Sequence, residues 1–259
     1  MPWRIAMIVF GMGLVAGFVD AIAGGGGLIM LPGLLFVGLP VGSAIATNKL
    51  CGTAGAITSS LKFAQSGQID LRACATMGIP AIVGAYIGSR SIGLLPDTWA
   101  EPIVIALMIV ITGFVLLKPT LGAASPDENK ESWQQPTPMQ VFYGVLAGLI
   151  IGFHDGFFGP GTGIFLVFAL LSLWSLNFLK ATGTTKVINL MTNVTALITF
   201  AASGNIDYSK GLLGALGVGL GSYIGATFAT KKGAKIIKPL FVAVTVSLIV
   251  KLLFDYAAR

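Results

Sequence analysis

The chain repeats itself, and that repeat limits the folds open to it more than any other feature. Gly13-Leu14 returns as Gly148-Leu149, Gly17-Phe18 as Gly152-Phe153, Asp20 as Asp155, Gly24 as Gly159 and Gly26 as Gly161. After one short insertion or deletion, Thr47 and Lys49 correspond to Thr184 and Lys186, and Tyr86-Ile87-Gly88 to Tyr223-Ile224-Gly225. Ser66-Gly67-Gln68-Ile69-Asp70 likewise returns as Ser203-Gly204-Asn205-Ile206-Asp207. Shared composition alone would not place aspartates, lysines and tyrosines in register. The chain therefore divides into a first repeat at 1–118, a polar linker at 119–139 and a second repeat at 140–259. Pro126-Asp127-Glu128-Asn129-Lys130-Glu131 makes the linker an exposed connection.

What the repeats are made of decides their solvent. Hydrophobic residues make up 55% of the chain and charged residues 10%, against about 25% charged in a soluble domain. So few charges cannot cover a water-facing surface. The apolar residues fall in stretches near the roughly 20 residues that a bilayer needs, without the alternation of a membrane barrel. The expected fold is an all-α polytopic membrane protein. The segments are 5–23, 27–38, 43–64, 71–93 and 98–117 in the first half, and 140–158, 161–177, 181–202, 208–229 and 236–256 in the second. Segment 27–38 would extend only about 18 Å as a helix and contains Pro32, so the first two segments of each half read as one broken or re-entrant element. That gives eight to ten membrane segments. With inverted repeats Lys62, Arg72, Lys118, Lys130 and Lys180 fall on the same side as Lys231, Lys232, Lys235 and Lys238; loop charge therefore favours inverted over parallel halves. The apolar run after Arg4 reads as a retained first helix, because the Asp20 and glycine region does not resemble a signal-peptide cleavage site.

Polar residues cluster at matching places in the two halves. Gly24, Gly25, Gly26 and Gly27 cannot sustain a helix cheaply, each costing about 1 kcal/mol relative to alanine. Their counterpart, Gly159-Pro160-Gly161-Thr162-Gly163, adds a residue with no backbone donor. Such breaks at membrane depth must lie against protein or a watery cavity, and each starts a new half-helix, expected at Leu28 or Ile29 and at Ile164, whose N-terminus attracts anions. Close packing through small residues is the competing explanation.

Lys49 and Lys186 sit early in otherwise apolar or weakly polar helices, where an ammonium must be hydrated, paired or able to snorkel. Asn48 and Thr53 accompany the first lysine, and Asn189 and Asn193 share a helix face with the second. Gly24–Gly27, Asn48, Lys49, Thr53, Gly159, Gly161, Thr162, Lys186, Asn189 and Asn193 are thus the candidate substrate-binding residues. Asp20 and Asp155 are candidate carboxylates for capping, pairing with the lysines or proton coupling. His154 is the one histidine and has Val19 at its repeat position; a local structural role is expected, with pH response as the alternative. The two Ser-Gly-x-Ile-Asp segments read as interhelical turns whose aspartates cap the next helix. Cys51 and Cys74 lack metal-ligand spacing and read as packing residues. No catalytic or metal-binding signature is present, no cofactor is expected, and the net charge of +6 reflects loop lysines rather than a nucleic-acid surface.

Taken together, GFVDAIAGGGGLIMLPGLLFVGLP, ATNKLCGTAGAITSSLKFAQSGQID and GIPAIVGAYIGSR, with GFHDGFFGPGTGIFLVFALL, ATGTTKVINLMTNVTALITFAASGNID and GSYIGA in the second half, resemble the TauE/SafE family of sulfite exporter-like permeases. The resemblance covers nearly the whole chain outside the linker. It implies a multi-pass permease of the cell membrane for small sulfur-containing anions such as sulfite, sulfoacetate or thiosulfate, and its repeated glycine motif falls on Gly24, Gly26, Gly159 and Gly161. The lysines come from physical reasoning and not from the resemblance. An anion channel, or a membrane accessory or enzyme subunit of sulfur metabolism, are the alternatives. The partners expected are the lipid bilayer and a small anion.

Overall fold

Gly24 and Gly159 end the first helix of each half, and the rest of the architecture follows from those two breaks. The structure is a computed structural model that describes residues 2–92, 94, 106 and 136–232. Among these, eight helices run in the order α1 (Trp3–Ala23), α2 (Gly27–Phe36), α3 (Val41–Gln65), α4 (Leu71–Ile92), α5 (Pro138–Phe157), α6 (Thr162–Leu173), α7 (Phe178–Ala202) and α8 (Tyr208–Lys232). Long, short, long and long helices thus follow one another twice. The apolar segments 98–117 and 236–256, and most of the linker, lie outside the described residues.

Local chemistry sets the boundaries. Gly24 adopts φ 69°, and its N–H closes α1 on the carbonyl of Asp20. α5 opens with a capping box, in which Thr137 accepts from the backbone of Gln140 while the Gln140 side chain accepts from the Thr137 N–H, with Pro138 in the first turn. The half-helices begin at Gly27 and Thr162, one or two residues before the expected starts. A first helical turn lacks internal acceptors for its N–H groups, so glycine there is less unfavourable than in a helix interior. Pro32 lies inside α2 without ending it. In α4 a π-turn at Cys74–Gly78 directly precedes Ile79-Pro80; Pro80 has no N–H to close an ordinary α turn, and the wider turn accommodates it.

α1, α4, α5 and α8 are long and apolar enough to cross a membrane. They expose large apolar side chains such as Met7, Val15, Ile79, Val83, Phe142, Ile150, Leu212 and Leu216, as lipid-facing helices do. Their contacts join the two halves: α1 packs along α8, and α4 along α5. Both seams are made by small residues. A Cβ at Gly17 would strike the backbone of Val218, one at Gly221 the backbone of Leu14, and one at Gly152 or Gly156 the backbone of Ala81 or Ala85. Inside this wall, α3 and α7 pack on each other and carry most of the buried polar residues.

The Ser-Gly-x-Ile-Asp turns fasten the halves together. Asp70 caps α4 by accepting from Ala73 N at 2.9 Å, and Asp207 caps α8 by accepting from Lys210 N at 3.0 Å. The N–H of Asp70 donates to Thr184 Oγ1 at 2.9 Å, and that of Asp207 to Thr47 Oγ1 at 3.0 Å. Each threonine of the lysine motif therefore holds the turn of the opposite half.

Candidate functional site: a cavity at the paired helix breaks

The two glycine tracts meet. A Cβ placed on Gly163 would lie 2.5 Å from Gly24 Cα, and one on Gly27 would lie 3.1 Å from Pro160 Cα. Backbone presses on backbone there, which is the close approach that only glycine permits. Around the junction lies a cavity of about 50 Å³, enough for a few water molecules. Its wall combines the first turns of α2 and α6 with side chains from α1, α3, α5 and α7.

The lysines are buried and paired across the halves. Lys49 Nζ on α3 lies 2.9 Å from Asp155 Oδ1 on α5, with side-chain exposures of 1% and 3%. Lys186 Nζ on α7 lies 3.0 Å from Asp20 Oδ2 on α1, with exposures of 0% and 22%. Lys186 also donates to the carbonyl of Asp20, the group that receives the closing N–H of α1. An ammonium is thus placed at the C-terminal end of each broken helix, where the macrodipole favours it. The snorkelling alternative does not hold for either lysine.

The pairs differ in how completely they are satisfied. Asp20 Oδ1 accepts from Gly26 N at 3.2 Å while Oδ2 accepts from Lys186, so both oxygens are engaged. Asp155 gives Oδ1 to Lys49, but its buried Oδ2 has no partner. Lys49 and Asp155 both line the cavity; Lys186 does not.

The candidate residues divide accordingly. Asp20, Gly24, Gly26, Gly27, Asn48, Lys49, Asp155, Gly159, Thr162, Asn189 and Asn193 are all brought to the cavity wall. Gly25, Thr53, Gly161 and Lys186 lie behind it. The Gly25 carbonyl accepts from Leu28 N at the start of α2, Thr53 Oγ1 donates to the Lys49 carbonyl at 2.7 Å, and Gly161 caps α6 with φ 85°. Gly52 and Gly163 also line the cavity. Gly163 closes the GPGTG run and could have been included on that ground; Gly52 carries no comparable sequence signal. His154 Nδ1 lies 3.2 Å from Thr162 Oγ1, which itself donates to the Gly159 carbonyl at 2.7 Å. The ring also meets Phe158 and Phe165 edge-on, and so braces the second break. Cys51 and Cys74 are free and buried. Among the described residues, no group of His, Cys, Asp or Glu side chains is arranged to hold a metal.

Broken helices, apolar outer faces and a buried charged cavity define an integral membrane protein of the transporter class. The chain belongs to the sulfite exporter TauE/SafE family, whose model it matches over residues 9–252. It is 38% identical to a probable membrane transporter protein, ORF9, of Sinorhizobium sp, over 98% of this chain and 95% of that one. It is 34% identical to a probable membrane transporter protein of Haemophilus influenzae, over 96% and 94% of the two chains. It is 32% identical to the probable membrane transporter protein YfcA of Escherichia coli K12, over 96% and 89%. No solved structure matches the chain.

Proposed function

We propose that the protein is a secondary transporter that carries small sulfur-containing anions, such as sulfite, sulfoacetate or thiosulfate, across the plasma membrane as a multi-pass permease. The observation that carries this reading is the meeting of two glycine-broken helices at one buried cavity that also contains the Lys49 ammonium. The ammonium has three donors and an ion-pair contact with Asp155 Oδ1, and Asn48, Asn189 and Asn193 add amide groups to the same wall. The first turns of α2 and α6 bring positive helix ends to it. The family's description names sulfite, and the sulfonate and thiosulfate anions share its small size, charge and oxygen acceptors. The halves act as inverted repeats, and access alternates as one repeat rocks against the other.

The test is purified protein in liposomes with labelled sulfite, thiosulfate, sulfoacetate and sulfate. Saturable uptake of at least one of the first three, with counterflow, is expected. Failure of all three, or flux that does not saturate, would remove the reading.

A further inference from the structure

The charges at the cavity cancel before any substrate arrives. Asp20 and Asp155 contribute two negative charges, and Lys49 and Lys186, each bound to one of them, contribute two positive ones. An anion entering this buried place leaves it with uncompensated negative charge, which low-dielectric surroundings disfavour. A proton taken up with the anion cancels one of its negative charges, and the two carboxylates are not equally able to take it. Both oxygens of Asp20 already accept hydrogen bonds, from Gly26 N and from Lys186, which leaves neither without a partner. Asp155 is more deeply buried, has one oxygen without a partner, and lines the cavity together with the lysine it neutralises.

We infer that Asp155 is the proton carrier of the transport cycle, with one proton moving alongside each anion. This rests on the anion-transport reading above. A proton from the aqueous side forms a bond to Oδ2, the carboxyl becomes neutral, and the Lys49 ammonium is released to the anion. When the anion leaves on the other side, Oδ2 gives its proton to water and the ion pair re-forms. The Lys186–Asp20 pair stays ionised throughout and serves as the fixed counterpart.

The groups around Asp155 suit this role. From α3 the charged neighbour is Lys49. α4 meets α5 through Met77, Ala81 and Ala85, while its Arg72 and Arg90 are exposed. α6 has no titratable side chain. On α7, Lys186 is held by Asp20 of α1. On α5 itself the neighbour is His154, engaged with Thr162.

The experiment uses the full chain in liposomes with thiosulfate, whose charge is constant near neutral pH, and an entrapped pH-sensitive dye. With the membrane potential clamped, a gradient of about one pH unit should sustain about tenfold accumulation at one proton per anion. Adding thiosulfate should also move protons in the same direction. Asp155→Asn should abolish both the accumulation and the acid stimulation, whereas Asp20→Asn, at whatever reduced rate, should keep the acid stimulation. Wild-type uptake without proton movement overturns the inference even if the variants fail to fold, as does acid-stimulated accumulation by Asp155→Asn. Both of these leave anion transport standing. Should thiosulfate not enter, sulfoacetate takes its place; entry of no panel anion overturns both readings together.

Discussion

Lys49 on α3 and Asp155 on α5 form a deeply buried ion pair at 2.9 Å, joining a residue of the first repeat to one of the second. Its counterpart, Lys186 with Asp20, has the same topology and a different environment: Asp20 reaches the cavity wall but its lysine lies behind it, and the carboxylate is anchored further by the Gly26 N–H. Removing one partner of a buried pair typically costs about 3–5 kcal/mol, whereas replacing both by neutral side chains of similar size is often tolerated. Lys49→Met alone should therefore lower the thermal stability of the detergent-solubilised protein sharply. Lys49→Met with Asp155→Asn should restore much of it and still show no uptake. Lys186→Met with Asp20→Asn should recover stability and retain measurable uptake. Thermal unfolding beside liposome flux separates the two pairs; equal flux from both double variants would contradict their inequality.

The junction of Gly24 with Gly163 makes a second prediction. A methyl group at 163 would overlap Gly24 Cα at 2.5 Å, and the obstacle is backbone that no rotamer change can move. Gly163→Ala should therefore separate α6 from the end of α1 and distort the cavity, with a loss of at least about 2 kcal/mol, in the range seen for overpacking. Gly219→Ala is the matched control, since its Cβ would meet neighbours only at 3.9–4.0 Å. It should leave stability nearly unchanged or raise it, because alanine is the better helix former. Thermal unfolding of both variants gives the comparison.

Much of this arrangement is legible in the residues. The repeat and the apolar segments locate all eight described helices to within a few residues, because lipid leaves a chain few alternatives to helix and the breaks are written in consecutive glycines. The capping aspartates of the Ser-Gly-x-Ile-Asp turns are legible for a similar reason: their hydrogen bonds are local. The partners of the lysines are not. Nothing in a linear pattern says that Lys49 should meet Asp155 of the other half rather than Asp20 of its own. That choice is made by α1 lying along α8 and α5 along α4, which depends on glycine seams distributed over four helices. The inequality of the two pairs is hidden more deeply, since it turns on whether one backbone N–H reaches a carboxylate after the break. Gly26 does so for Asp20, while Asp155 Oδ2 has no partner.

Thr47 and Thr184 supply a third test. Each hydroxyl accepts from the backbone N–H of the capping aspartate of the opposite half. Valine preserves the shape and removes the acceptor, leaving a partly buried N–H without its bond. Thr47→Val and Thr184→Val should each cost about 1–3 kcal/mol. A threonine whose only role was side-chain packing would accept valine with little change. Thermal unfolding gives the size of the loss, and hydrogen exchange at the amides of Asp207 and Asp70 shows whether it falls at these turns.

The last prediction concerns acid stability at the start of α8. Burial pushes the Asp207 carboxyl up, but hydrogen bonds and charge from Lys210, with the Ser209 N–H, outweigh it and hold the group below its ordinary value of 3.8. A carboxylate held lower in the folded state than in the unfolded one adds stability that is complete above the unfolded value. That stability is lost as the pH falls through the lower, folded one. Oδ1 caps α8 through Lys210 N, and Oδ2 lies 2.5 Å from Lys210 Nζ. Near neutral pH, Asp207→Ala should destabilise the protein by about 1 kcal/mol, the usual worth of such a cap. The difference between the variant and the wild type should shrink only below pH 3.8. Unfolding of the two proteins along a pH series reads this directly: a gap already closing well above that value would mean that Lys210 does not hold the carboxylate as the geometry requires.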